Sequence, residues 1–163
     1  MRHFLPLAAL LLAPAAFAAD KLECTVDGAA FKATKTTAGV VTNEQLMGPG
    51  RWLSVKLEND QGAAIGLVTN WDKLEAAKFD GSGKSQEGAS AQFQATWRSS
   101  KTGSPHILGP WKAKVEKLGG SPAQASFEVE LEMKDMMAMM KKKDAPVVKV
   151  TCKGAVTPVM DAK

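Results

Sequence analysis

Histidine and cysteine are scarce in this chain, two of each in 163 residues, and the scarcity removes most familiar catalytic and metal-binding constellations. There is no Cys-x-x-Cys, no His-Glu-x-x-His and no Gly-x-Ser-x-Gly, so the spacings of zinc sites, zinc peptidases and nucleophile elbows are absent. Gly83-Lys84-Ser85 ends like a phosphate-binding loop, but the glycine needed five positions earlier is Lys78, and the nucleotide cradle is excluded. No stretch reaches the roughly 20 apolar residues of a membrane-spanning helix. Internal repeats and long linkers are also missing, which leaves one domain.

The longest apolar run is the first. Arg2 and His3 precede a Leu/Ala-rich segment, and Ala16-Phe17-Ala18 has the small-x-small form that precedes cleavage, so residues 1–18 read as a removed export signal. Residues 19–163 then form a single β domain, with 158–163 expected as a loose tail. Losing Arg2 from the 21 Lys+Arg leaves 20 against 17 Asp+Glu, a net charge of +3, too weak a bias to imply nucleic acid. The expected location is the periplasm, and an oxidising compartment makes a Cys24–Cys152 bridge the natural use of the two thiols. Each cysteine is in phase with apolar neighbours, Leu22 and Val26 for Cys24, Val148 and Val150 for Cys152, which makes the first and last strands neighbours.

Period-two alternation recurs along the chain. Lys21–Val26 and Ala29–Thr36 flank Asp27-Gly28, the pattern of a two-residue hairpin. Gly39-Val40-Val41 suggests a brief strand. Leu53, Val55 and Leu57 answer Ile65 and Leu67 across Asn59-Asp60-Gln61-Gly62, and a symmetric register opposes Trp52 to Val68, Ser54 to Gly66 and Lys56 to Ala64. Residues 70–79 have room for a helical turn around Leu74, Ala76 and Ala77, and 80–90 read as a Gly/Ser loop. Phe93, Ala95 and Trp97 mark another strand. Residues 111–117 and 127–133 form a hairpin about Gly119-Gly120-Ser121-Pro122, whose register centred on Pro122 opposes Lys112 to Glu132 and Lys114 to Glu130. Pro146–Lys153 closes the set. About eight short strands imply an all-β antiparallel small barrel or sandwich, with one short Met-rich helix near the C-terminus.

That helix follows a change of period. Phe127, Val129, Leu131 and Met133 alternate with Glu128, Glu130 and Glu132, whereas Met136, Met137 and Met140 fall at helical spacing after Asp135, a suitable N-cap, with Lys141 to Lys143 in the last turn. The glutamates form a solvated charge ladder and the lysines a solvated cap, so membrane-surface binding is not expected. The methionines are expected to cover the outward sheet face of Trp52, Gly66 and Val68, a face otherwise short of large or charged cover.

No catalytic set emerges. His106, the one histidine left after export, sits in a polar loop with no evident nucleophile. The expected function is therefore a non-enzymatic exported binding module without cofactor. Its partner would be another envelope or secreted protein, as for an inhibitor, immunity factor or envelope accessory subunit, with Trp52, Val68, Trp71 and His106 as candidate contacts. One alternative is a Cu(I) or Ag(I) carrier, because thioethers suit soft copper and Met133, Met136, Met137, Met139 and Met140 crowd eight residues. A carrier of small apolar ligands is a further one.

Overall fold

The computed structural model describes residues 21–42, 49–74, 79–84, 93–141 and 143–160, with backbone alone at 79–84, 107 and 108. The expected export signal, Ala76, Ala77, Lys142 and most of the expected Gly/Ser loop lie outside these residues. The strands are β1 (Lys21–Val26), β2 (Ala29–Phe31), β3 (Lys35–Thr42), β4 (Arg51–Glu58), β5 (Ala64–Asn70), β6 (Phe79–Lys84), β7 (Phe93–Arg98), β8 (His106–Leu118), β9 (Gln124–Asp135) and β10 (Val147–Val156). A 3₁₀ turn at Trp71–Lys73 follows β5, and the helix α1 (Met136–Met140) follows β9.

The strands pair antiparallel in the order β2-β1-β10-β9-β8-β7-β5-β4-β3, with β6 on β8. The ladder curls into the expected all-β, barrel- or sandwich-like arrangement around one core. Its ten strands exceed the expected eight or so because β3 is a full strand and β6 exists at all. Leu53, Val55 and Leu57 of β4, Ile65 and Leu67 of β5, and Phe93, Ala95 and Trp97 of β7 all face the core, as their alternation requires. Phe31 of β2, one end of the ladder, meets Trp97 of β7 edge-on at 5.7 Å.

The disulfide is present. Cys24 and Cys152 are directly opposed on β1 and β10, so the end strands of the sequence are neighbours in space. Asp27 and Gly28 take φ of 49° and 81°, the positive pair a tight hairpin turn needs.

Four expectations are corrected. The second strand stops at Phe31 instead of reaching Thr36, because Thr34 donates its N–H to the Glu58 carbonyl at 2.9 Å and carries the chain across to β4. The β4/β5 register slips by two: Trp52 opposes Asn70, Ser54 opposes Val68 and Lys56 opposes Gly66. The cause is a five-residue loop, 59–63, in which the Asn59 side-chain oxygen accepts the N–H groups of Gln61 at 3.0 Å and Ala63 at 2.9 Å. The β8/β9 register slips likewise, so Lys112 opposes Glu130 and Lys114 opposes Glu128. Lys114 turns along its own strand to Glu116 at 3.3 Å, while Glu128 takes Lys153 of β10 at 3.2 Å. A slip of two preserves every inward face, which is why the core is as expected although the pairs are not. Finally, the start of the tail is not loose. Pro158 is buried, and Val159 accepts from Val40 N–H at 2.9 Å and donates to the Ala38 carbonyl at 3.0 Å, bridging the outer edge of β3. Residues 161–163 lie outside the described residues.

The 3₁₀ turn is tied to β4 through Asp72, whose carboxylate accepts from the Arg51 backbone N–H and Nε at 2.8 Å each and pairs with its Nη2 at 2.8 Å. These hydrogen bonds, with the guanidinium charge and the more distant Lys117, hold the Asp72 carboxyl below the usual carboxylate range. A folded-state pKa below that of the unfolded chain stabilises fully above the unfolded value, near 4, and the contribution is lost as pH falls through the lower folded value. We therefore expect the protection of the Arg51 amide against hydrogen exchange, relative to its intrinsic rate, to fall as pH drops below about 4. Because the two side chains are 44% and 38% exposed, solvent screening limits the loss in Asp72→Asn to about 1 kcal/mol or less in chemical denaturation.

Candidate functional site

The residues singled out in the sequence divide into three places. Trp52 and Trp71 are 3% and 1% exposed, so neither ring is offered to a partner, which corrects their expected role. Trp71 sits below the Asn70-capped 3₁₀ turn with the Lys117 ammonium 4.4 Å from its ring centroid. Val68 is half-buried and lines a groove of about 370 Å³ on the outer face of β4, β5 and β7, with Ser54, Gly66, Thr96, Arg98 and Lys101. Gly66 shapes its floor, since a Cβ there would meet Thr96 Oγ1 at 2.6 Å.

α1 does not cover that face. Asp135 caps the helix at the end of β9, its Oδ1 accepting the Ala138 N–H at 2.7 Å, and Met136 N–H bonds the Pro105 carbonyl at 3.1 Å. These bonds fix α1 beside the row Ile65-Trp97-His106-Asp135, which runs across β5, β7, β8 and β9. The Trp52–Asn70 pair lies at the opposite end of β5, five residues or about 17 Å away along the strand.

The five-methionine cluster is split as a result. Met133 is fully buried in the core. Met136 is half-buried, while Met137, Met139 and Met140 are 42%, 44% and 70% exposed and Val147 is 42% exposed. No residue of α1 is fully buried, so core packing does not account for the exposed Met137, Met139 and Met140. Lysines surround this tip: Lys134 opposes Val147 on β9, Lys141 is the helix C-cap, Lys143 donates its backbone N–H to the Ala138 carbonyl at 3.0 Å, and Lys149 is exposed farther along β10. The facing acids are Asp144, exposed, and Asp135, whose carboxyl is held below its ordinary range first by the Ala138 N–H and then by Ser104 and His106.

His106 was expected in a solvent loop. It is instead the first residue of β8, half-buried, opposed by Trp97 on one side and Asp135 on the other. Its Nδ1 is buried without a hydrogen-bond partner. The Pro105 before it and the short β7/β8 pairing hid this placement; the matching apolar phase of Trp97 was the one available signal. Among the described residues no three His, Cys, Asp or Glu side chains gather as a metal cage, and no described helix is long and apolar enough to cross a membrane. No family model, curated protein or solved structure matches the chain.

Proposed function

We propose that the mature chain is an exported, non-enzymatic binding module that engages another envelope or secreted protein through α1 and the start of β10. One observation carries this reading: of the six large hydrophobic side chains exposed among the described residues, Met137, Met139, Met140 and Val147 belong to this one tip. Flexible thioethers adapt to an irregular apolar cleft, and the lysine fringe selects a cleft rimmed by acidic groups. The Cys24–Cys152 bridge fits an extracellular or periplasmic setting. The rings of Phe93, Trp97, Trp111 and Phe127 pack together in the interior, which favours action at the surface over carriage of an enclosed ligand.

Site-specific photo-crosslinking in the periplasm tests the proposal. A probe at Met140 is expected to trap one stoichiometric protein, and a probe at Glu23 on β1 is not. With that partner purified, Met139→Asp is expected to weaken binding at least about tenfold, the scale of losing one anchoring side chain, and added salt to slow association. Equal trapping from both positions, or unchanged affinity in Met139→Asp, overturns it.

A further inference from the structure

We propose that His106 Nδ1 and the thioethers of Met136 and Met140 form a site for a single Cu(I) or Ag(I) ion. A buried imidazole nitrogen without a partner is uncommon, since buried polar atoms are nearly always hydrogen-bonded, and Nδ1 of His106 is such an atom. Two main-chain contacts bring His106 to the start of α1. His106 pairs across the ladder with Asp135, the residue directly before Met136, and the Pro105 carbonyl directly before His106 takes the Met136 N–H at 3.1 Å. Met136 and Met140 are four residues apart in α1, on one side of the helix a single turn apart. The Met140 side chain is 70% exposed and so not committed to the core, and Met136 is half-buried.

The donor types decide the metal. One imidazole and two thioethers form a neutral, soft set that suits a monovalent soft cation and offers a hard dication no oxygen. Asp135, the nearest carboxylate, is engaged as the α1 cap, accepting the Ala138 N–H at 2.7 Å, so it stands as an outer group rather than a ligand. No electron moves: the ion is taken up reduced, exchanging its solvent or chelator ligands for the three donors as the His106 ring turns to open its buried Nδ1. The site shares Met140 with the docking surface, whose other members, Met137, Met139 and Val147, stand outside it.

The test uses the folded mature chain and Cu(I) held by a coloured chelator under anaerobic conditions. The parent is expected to withdraw one Cu(I) per chain. Met136→Leu and Met140→Leu, which conserve apolar volume, are each expected to weaken that affinity at least tenfold, and His106→Asn at least a hundredfold. Met137→Leu and Met139→Leu should stay within about twofold of the parent, being off the site yet on the same helix. X-ray absorption of the loaded parent should show one nitrogen and two sulfur neighbours, a readout that decides the matter if His106→Asn fails to fold. A parent that withdraws no copper, a His106→Asn variant with parental affinity, or a sulfur-only shell overturns the proposal and leaves the docking surface untouched.

Discussion

Replacing Cys24 and Cys152 together by alanine is expected to lower the unfolding free energy by about 2 to 5 kcal/mol. The two cysteines are separated by 128 positions, so their bridge closes most of the 163-residue chain into one loop. On the chain-entropy account a loop beyond 100 residues contributes roughly 4 to 5 kcal/mol, with native-state and unfolded-state effects reducing what is realised. Here the bridge also lies in the core, where both cysteines are buried, so its loss costs packing as well. Urea unfolding of the double variant against the oxidised parent measures the difference. A loss below about 1 kcal/mol would mean that the β1/β10 ladder holds the ends of the chain without the bridge.

Gly154→Ala should cost about 3 kcal/mol or more, from backbone strain and steric overlap together. Gly154 lies in β10 at φ 142°, a region L side chains rarely enter. Its neighbours are Leu22 on β1 and Phe127 on β9, and a Cβ built there would overlap the Lys21 carbonyl oxygen. That oxygen is backbone, fixed between paired strands, and no rotamer change relieves the contact. Gly119→Ala is the control, since nothing lies within 4 Å of the added carbon. Thermal and urea unfolding of both variants separates the two cases, and equal stability would show that β10 is not held so closely against β1.

Much of this was legible because a burial period of two survives errors of pairing. The inward faces of β4, β5, β7 and β9, the Cys24–Cys152 bridge and the switch from β9 into α1 at Asp135 all follow from alternation and a capping residue. The registers did not, because loop length is set by hydrogen bonds within the loop: Asn59 ties down 61 and 63, which no residue-type pattern announces. Phe79 to Lys84 escaped notice because its Gly-rich sequence has no alternation, and its place in the sheet is carried by main-chain pairing to Pro110–Val115 of β8. At the candidate site the methionines were visible but their neighbours were not. Trp52 sits at the far end of its strand, and His106 enters the site through pairing with β7 and β9, a long-range relation.

The position of β10 governs how an unfinished chain behaves. This last strand lies between β1 and β9, and the segment after it bridges β3. A chain released from the N-terminus onward therefore carries three unfilled strand edges, on β1, β9 and β3, until residues 147–159 arrive. Unfilled edges are templates for pairing with other chains, and contacts of such long sequence separation form slowly. The interval between emergence of Val26 and of Val159 is thus the period in which this protein most needs a chaperone that binds extended strands.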